Sequence, residues 1–239
     1  MNKIVLKNVS KAYKDVKALD NINLEILENK ITGLLGTNGA GKSTLIKILT
    51  GEIKPDNGTI SIFGIDIKDI DEIRKIVNVS PQESAIISNL TVYENLEFFE
   101  HLYGINDAML IDDIMMLFNL KEFKNKRSKT LSGGYKKRLS IAISLITRPR
   151  ILFLDEPTLG LDIIARRDLW RIITKISKST TIVITSHYLE EIESLCEDVI
   201  ILSKGHVASR GSVNDIKKLS GCDSFEDAFV KIVGENDEI

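Results

Sequence analysis

A glycine-rich segment near the start of the chain restricts its fold more than any other feature. Residues 36–43 read Gly-Thr-Asn-Gly-Ala-Gly-Lys-Ser and fit the pattern G-x-x-x-x-G-K-[ST]. An apolar run at residues 31–35 precedes this segment, and residues 43–49 follow it with the apolar spacing of a helix. The pattern therefore predicts a buried strand, a tight glycine turn and a helix in direct succession.

We call residues 36–44, which are this segment and Thr44, the phosphate loop. Its residue types are those of a loop that binds phosphate. Its glycines let backbone N–H groups point at phosphate oxygens without Cβ clashes, and the helix N-terminus behind it favours anions. The lysine places a positive charge at the β- and γ-phosphates, and the hydroxyl after it binds Mg²⁺. We therefore expect a nucleoside triphosphate site. Its binding residues are expected to be Gly36, Thr37, Asn38, Gly39, Ala40, Gly41, Lys42, Ser43 and Thr44.

Two acidic residues follow a second apolar run later in the chain. The run Ile-Leu-Phe-Leu at residues 151–154 ends in Asp155 and Glu156. Beside a phosphate loop, Asp155 is expected to hold Mg²⁺ together with Ser43, directly or through water. Glu156 is expected to orient and deprotonate the attacking water.

Short apolar runs recur along the chain and alternate with helical patterns. The runs are β-branched and nearly unbroken, which is typical of strands that are buried on both faces of a parallel sheet. Predicted strands cover residues 4–9, 22–26, 31–35, 59–63, 76–79, 151–154, 181–184 and 199–202, with a turn at residues 56–58. Predicted helices at residues 163–176 and 189–195 separate the later strands. This alternation predicts an α/β fold with a mainly parallel sheet.

Residues 91–147 interrupt the alternation because they contain no strand pattern. Helical spacing covers residues 92–103, 109–120 and 139–146, so we expect a helical subdomain inserted into the α/β core. Five large apolar residues in this stretch are interpreted as a helix packing face rather than a cofactor pocket. They are Met109, Met115, Met116, Phe118 and Leu120.

The composition excludes several classes of protein. Of the 239 residues, 43% are hydrophobic, which excludes a wholly disordered chain. The longest uncharged stretches have eleven residues, whereas a membrane-spanning helix needs about 20, so we expect no span in this chain. The two cysteines, Cys196 and Cys222, predict neither a disulfide framework nor a metal cluster. The formal net charge of -2 leads us to expect no nucleic-acid partner.

A short motif at residues 131–134 indicates the class of phosphate-loop protein. Leu131-Ser132-Gly133-Gly134 follows the phosphate loop and precedes the Leu-Asp-Glu-Pro strand end, and it resembles the signature motif of ATP-binding cassette (ABC) proteins. Its serine and glycines are predicted to open a helix and so to form a second anion-binding N-terminus. A second such site is useful if it serves a nucleotide that a neighbouring subunit holds. The resemblance covers residues 4 to about 211.

Four single residues fall at the other landmarks of the family. The resemblance implies that Tyr13 stacks on adenine and that Gln82 links Mg²⁺ and the attacking water to a membrane subunit. It also implies that Asp162, in a segment at the dimer interface, is one of the nucleotide-binding residues, and that His187 contacts the γ-phosphate. Tyr135 departs from the family pattern, which often has glutamine after Leu-Ser-Gly-Gly.

The resemblance further implies a head-to-tail dimer with two ATP molecules between its subunits. Each ATP would contact the phosphate loop of one subunit and the Ser132, Gly133 and Gly134 backbone of the other. The expected catalytic residues are Lys42, Gln82, Glu156 and His187. The expected Mg²⁺ ligands are Ser43, Gln82 and Asp155.

The resemblance also divides the chain into domains. A nucleotide-binding domain would cover residues 1–211 and combine the parallel core with an N-terminal antiparallel β-subdomain. The helical subdomain would cover about residues 84–147. Residues 212–239 would form a short helical tail.

The function implied is ATP hydrolysis that powers a transporter, on the cytoplasmic face of a membrane and through a separate permease chain. Residues 90–99, 102–104 and 224–233 resemble the branch that exports drugs, antibiotics and lipids. A non-transport ABC ATPase acting in DNA repair or on ribosomes is the alternative. The repair type carries a long coiled coil between the phosphate loop and the signature, and the ribosomal type usually carries two cassettes. This sequence has neither feature, which favours transport.

Overall fold

The computed structural model describes residues 3–83 and 85–235. Residues 1–2, 84 and 236–239, which the predicted domain boundaries include, lie outside the described residues. The strands are β1 (Lys3–Tyr13), β2 (Val16–Leu27), β3 (Ile31–Gly36), β4 (Asn57–Ile62), β5 (Ile65–Asp66), β6 (Val77–Ser80), β7 (Ile151–Asp155), β8 (Thr181–Thr185), β9 (Asp198–Ser203) and β10 (His206–Gly211). The α-helices are α1 (Lys42–Leu49), α2 (Ile70–Ile76), α3 (Val92–Leu102), α4 (Leu110–Leu117), α5 (Gly133–Ser144), α6 (Ile163–Ile176), α7 (Leu189–Leu195), α8 (Val213–Ser220) and α9 (Phe225–Glu235).

The strands of the described residues form two sheets. The larger sheet has the order β10-β9-β3-β8-β7-β6, and its neighbouring strands are parallel except for the edge pair of β10 and β9. The smaller sheet has the order β2-β1-β4-β5 and is antiparallel. The predicted α/β class, with a mainly parallel core and an N-terminal antiparallel sheet, is therefore confirmed.

Strand β7 illustrates how the core is divided between the two faces of the larger sheet. Its four apolar residues, Ile151 to Leu154, have no exposed surface. Leu152 and Leu154 pack in a cluster with the helical region, whereas Ile151 and Phe153 pack in a cluster with the smaller sheet and α1. Successive side chains of a strand point to opposite faces, so a strand covered on both sides reads as an unbroken apolar run.

The region between β6 and β7 is helical, as predicted, and contains α3, α4 and α5. Helix α4 is shorter than predicted and ends at Leu117. Two residues later, Asn119 adopts a left-handed backbone with φ of 55°, through which a right-handed helix cannot continue. Asparagine tolerates this conformation better than most residues, which explains the early end of the helix.

The predicted packing face around α4 is correct for three of its five residues. Met115, Phe118 and Leu120 are at most 1% exposed, whereas Met109 and Met116 are 69% and 57% exposed. Met116 lies about 100° around the helix from its buried neighbour, and therefore faces solvent. Met109 precedes the first turn of α4.

The turn predicted at residues 56–58 is wrong. Asn57 and Gly58 lie inside β4, where Asn57 pairs with Ser10 of β1. The chain turns between β4 and β5 at Phe63 and Gly64, both of which have positive φ. Pairing with β1 thus overrides the turn preference of an Asp-Asn-Gly sequence.

Several elements differ from the sequence prediction. Helix α2 and strands β5 and β10 were not predicted, whereas α8 and α9 lie within the predicted helical tail. Helix α5 begins at Gly133, six residues before the predicted start at residue 139, so the signature glycines form its first turn. In the described part of the chain, no helix combines the length and apolarity that crossing a membrane requires.

Candidate functional site

The phosphate loop connects the end of β3 to α1, and the backbone requires glycine at two of its positions. Gly41, at the N-cap of α1, has φ of 105°, and a Cβ there would lie 2.4 Å from the carbonyl oxygen of Ala18. A Cβ on Gly36 would lie 2.4 Å from the carbonyl oxygen of Leu202. Any side chain at these positions would collide with neighbouring backbone, so the path of the loop depends on both glycines.

The N-terminus of α1 has the properties of an anion site. No side chain caps it in the described structure, and its first turn contains no acidic residue. The N–H groups and the dipole of the helix therefore favour a negatively charged ligand. Of the other loop residues, Thr37, Asn38, Gly39 and Ser43 are exposed, Thr44 is half-buried and Ala40 is buried.

Lys42 lies over the loop that precedes it. Its Nζ donates to the carbonyl oxygens of Gly36 at 2.7 Å and Thr37 at 3.0 Å. Burial lowers the pKa of Lys42, and the nearby carboxylates of Glu156 and Asp155 oppose that shift. The structure thus brings the predicted lysine and both predicted acids into one electrostatic environment.

Asp155 ends β7 and is oriented by a hydroxyl that sequence analysis did not single out. The neighbouring strand β8 ends at Thr185, which is directly paired with Asp155 and 1% exposed. Thr185 Oγ1 donates to Asp155 Oδ1 at 2.6 Å and accepts the Glu156 N–H at 3.1 Å. Polar residues at the carboxyl ends of adjacent parallel strands meet at one edge, and this rule could have identified Thr185.

Glu156 is buried and has an unusual backbone. Its φ is 48°, which is uncommon for a residue other than glycine. Its side chain is 7% exposed, and its Oε1 lies 3.4 Å from Nε2 of His187, a residue whose own side chain is 57% exposed. The other carboxylate oxygen, Oε2, accepts the backbone N–H of His187 at 3.1 Å. Strained backbone of this kind costs of order 1–3 kcal/mol and is concentrated at functional sites.

Gln82 lies on an exposed segment after β6, and its backbone contacts Lys137 of α5. The Nζ of Lys137 donates to the Gln82 carbonyl oxygen at 3.1 Å. Burial lowers the pKa of Lys137, whereas the charges of Asp155, Glu156 and Glu191 oppose the shift. Lys137 therefore connects α5 to the segment of the predicted glutamine, a role that the sequence did not indicate.

The signature residues open α5, with Ser132 at the N-cap and Gly133 and Gly134 in the first turn. Ser132 and Gly133 are exposed. A cleft of about 330 Å³ lies beside them, and the residues that line it come from positions 132–138 and 162–168. Within one chain, the signature motif therefore lines a cleft with α6.

The other residues of this cleft are held by local contacts. The predicted nucleotide contact Asp162 caps α6, since its Oδ1 accepts the N–H of Ala165 at 2.8 Å. The ring of Tyr135 stacks on Phe123 with centroids 4.1 Å apart, and the Arg138 guanidinium lies 5.0 Å from the Tyr135 ring centroid. The tyrosine that departs from the family pattern is thus packed against its own chain.

Tyr13, the predicted adenine contact, lies at the end of β1. It pairs with Val16 across the hairpin to β2, and it is 47% exposed. The Nζ of Lys11 lies 5.8 Å from the ring centroid. The exposed aromatic surface is of the kind on which a nucleotide base stacks.

Comparison with known proteins gives consistent matches. The family model described as ABC transporter matches residues 19–159. The human "Phospholipid-transporting ATPase ABCA3" is 37% identical over 91% of this chain and 13% of its own length. The "Probable multidrug ABC transporter ATP-binding protein YbhF" of Escherichia coli (strain K12) is 34% identical over 98% of this chain and 42% of its own length. The chain therefore spans less than half the length of these curated relatives.

A similar solved structure shows a dimeric ATP-binding cassette in a post-hydrolysis state, bound to ADP and Pi. Its TM-score to this chain is 0.76 and its sequence identity is 28%. The match covers 87% of this chain and 98% of the solved chain, so nearly the whole of that cassette has a counterpart here.

Proposed function

Because the chain belongs to the ABC transporter family, we propose that it is an ATP-binding subunit that hydrolyses ATP to drive export through a separate membrane-spanning chain. The observation that supports this most directly is the meeting of distant segments at one place. Lys42 lies within the charge field of Asp155 and Glu156, and Glu156 contacts His187. Phosphoryl transfer depends mainly on positioning and charge neutralisation, and these side chains supply both.

In the proposed site, ATP binds with its phosphates on residues 36–44 and its adenine on the ring of Tyr13. Backbone N–H groups at the start of α1 bind phosphate oxygens, and Lys42 neutralises their charge. To do so, its Nζ exchanges the carbonyl oxygens of Gly36 and Thr37 for phosphate oxygens. The preformed contacts hold the ammonium at the loop before the substrate arrives.

The oxygens of Ser43 and Asp155 fit a magnesium ion. Ser43 is exposed at the start of α1, and Thr185 fixes the orientation of the Asp155 carboxylate. Magnesium prefers such oxygen ligands and usually takes one or two from the protein and the rest from phosphates and water. We assign Gln82 as a third ligand. Its backbone carbonyl oxygen accepts a hydrogen bond from Lys137. Bound Mg²⁺ would neutralise phosphate charge as a Lewis acid.

We assign the general base to Glu156. Its carboxylate is buried, which restricts its movement, and the backbone N–H of His187 fixes one of its oxygens. From that position it can orient a water and accept its proton. The exposed imidazole of His187 is assigned to the γ-phosphate, where it would hold the group that is transferred.

The second half of each site is proposed to come from a second cassette. In one chain, Ser132 and Gly134 line a cleft with α6, and the helix N-terminus that they form with Gly133 favours an anion. That geometry suits a phosphate group held by the partner's phosphate loop. A similar cassette forms a dimer in its solved structure, which supports an ATP-dependent dimer of this chain, with itself or with a related cassette.

The membrane partner and the direction of transport are inferred from the relatives. ABCA3 is named as a phospholipid-transporting ATPase and YbhF as a multidrug transporter protein. We infer that this chain serves export of a lipid or drug-like compound from the cytoplasmic face of the cell membrane. We assign residues 1–211 to the nucleotide-binding domain, with the helical subdomain at 84–147, and residues 212–239 to the tail that includes α8 and α9.

Purification of the tagged chain from membranes tests this proposal. We expect a polytopic membrane protein to co-purify and the complex to hydrolyse ATP only with Mg²⁺ present. Reconstituted vesicles should then move substrate in the outward direction on addition of ATP to the cytoplasmic side. Recovery of the chain on ribosomes or DNA, with no membrane protein, would instead support the non-transport alternative and overturn the proposal.

A further inference from the structure

A buried carboxylate lies behind the candidate site and was not assigned a role by the sequence. Glu191, in α7, has no exposed surface. Its Oε2 accepts a hydrogen bond from Thr158 Oγ1 at 3.0 Å, and its Oε1 accepts one from Trp170 Nε1 at 2.8 Å. Burial raises the pKa of Glu191, and hydrogen bonds from Ser186, Trp170 and Thr158 counteract the shift. An unpaired acid would be costly at this depth, so these partners are what stabilise it.

Glu191 and its partners Thr158 and Trp170 lie on three separate segments of the chain. Thr158 lies two residues after Glu156, in the segment that joins β7 to α6, and Trp170 lies on α6. Glu191 itself is four residues after His187, on the helix that follows β8. The single carboxylate therefore joins the segment of the proposed base to the segment of the proposed phosphate-sensing histidine.

A second contact joins the same two segments. The guanidinium of Arg166, on α6, lies 4.0 Å from the ring centroid of Tyr188, the residue after His187. Such a cation–π contact is attractive because the face of an aromatic ring carries partial negative charge. Both contacts lie on the C-terminal side of His187, at Tyr188 and Glu191, and Glu191 provides the buried, directional one.

We propose that Glu191 is a positioning residue for ATP hydrolysis. By accepting hydrogen bonds from Thr158 and Trp170, it fixes the position of Glu156 relative to His187. The proposal rests on the proposed ATPase function. The 3.4 Å separation of Glu156 Oε1 and His187 Nε2 is the geometry that Glu191 maintains, although it touches neither residue's reacting atoms. Catalysis is sensitive to small errors of this kind, since a misplacement of about 1 Å can lower a rate about 100-fold.

The carboxylate of Glu191 indicates that this residue positions its neighbours and does not merely fill a space in the core. An apolar side chain of similar size would fill the same volume but would leave the Thr158 hydroxyl and the Trp170 N–H without their acceptor. A carboxylate is needed to accept two hydrogen bonds at once from two different segments. Glutamine has the same shape but carries no charge, and its NH₂ group only donates, so it keeps the Trp170 contact only if the bond to Thr158 reverses its direction.

The test compares Glu191→Gln with Glu190→Gln, a matched change at the exposed neighbouring position of α7. We expect Glu191→Gln to lower kcat at least tenfold while the Kd for ATP stays within about twofold of wild type. Glu190→Gln should leave both values unchanged. Because Trp170 is the only tryptophan of the sequence, its fluorescence reports on this contact, and its emission should shift in Glu191→Gln alone.

Thr158→Val provides a second route if Glu191→Gln folds poorly, because it removes the hydroxyl and keeps the carboxylate. It should also lower kcat without weakening ATP binding. Wild-type kcat in either variant would overturn the proposal, and so would equal losses of kcat, ATP affinity and Tm, since these indicate a structural role. A wild-type chain that neither binds nor hydrolyses ATP would overturn the proposed function instead, so the two failures are distinguishable.

Discussion

The carboxylate of Glu156 contacts His187 at two points, through the backbone N–H at 3.1 Å and beside the imidazole Nε2 at 3.4 Å. The two residues are 31 positions apart in the chain and follow neighbouring parallel strands, β7 and β8. The ends of parallel strands meet at one edge of a sheet, so the proposed base and the proposed γ-phosphate contact come together there.

Glu156→Gln is expected to abolish most ATP hydrolysis while ATP binding persists. Glutamine keeps the shape of the side chain but cannot accept a proton from water, and general base catalysis contributes about 100-fold to 10,000-fold. Steady-state turnover and ATP binding should be measured on the same preparation. The variant should also accumulate as an ATP-bound dimer by size-exclusion chromatography. Turnover equal to wild type would rule out Glu156 as the base.

Lys42→Ala is expected to weaken nucleotide binding itself. The variant loses a charge-assisted contact to phosphate, which typically stabilises by about 1.5–3 kcal/mol, or roughly 10-fold to 150-fold in Kd. Titration calorimetry with ATP measures the effect. Lys47→Ala, at an exposed position of the same helix, is the control and should bind like wild type. Equal Kd values for the two variants would contradict the assignment.

Thr185→Val is expected to raise the concentration of Mg²⁺ needed for half-maximal activity. Valine has nearly the same shape but cannot donate to Asp155 Oδ1, and loss of such an orienting contact commonly costs 10-fold to 100-fold in metal affinity or activity. A magnesium titration of ATPase activity gives the measurement, with Thr59→Val on the exposed part of β4 as control. An unchanged Mg²⁺ dependence would show that Thr185 does not orient a metal ligand.

Lys137→Met is expected to lower turnover without a comparable loss of ATP affinity. Methionine keeps most of the buried volume but cannot donate to the Gln82 carbonyl oxygen, so the segment of the proposed glutamine should lose its fixed position. A hydrogen bond from a charged group typically stabilises by about 1.5–3 kcal/mol. Hydrogen exchange of the backbone N–H groups of Gln82 and Glu83 should therefore accelerate. Lys136→Met, one position earlier, should alter neither exchange nor turnover.

Motifs with strict spacing predicted much of the site, because each imposes a local backbone that its own residues determine. The glycines of the phosphate loop adopt a backbone path in which a side chain would collide with neighbouring backbone, as at Gly36 and Gly41. Unbroken apolar runs likewise identified β7 and β8, since both are buried on both faces. Met116 was misassigned because apolar identity alone does not say on which side of a helix a residue lies.

Partners distant in sequence were not predicted from single motifs. Nothing near Thr185 in the chain indicates that it orients Asp155, and nothing near Lys137 indicates its bond to Gln82. In the sequence, Glu191 is one of several acidic residues on a short helix. Only the structure shows that Thr158 and Trp170 donate hydrogen bonds to its oxygens.

Local chemistry in the chain therefore predicted a nucleoside triphosphate site and indicated the fold class and the family, since those depend on turns, strand patterns and motif spacing. The tertiary structure alone decided which other side chains contact the motif residues and fix their positions. The physical reason is that hydrogen bonds such as those of Thr185, Lys137 and Glu191 depend on the order and register of strands. That order is set by packing of the whole core and leaves no periodic signal at the residues concerned.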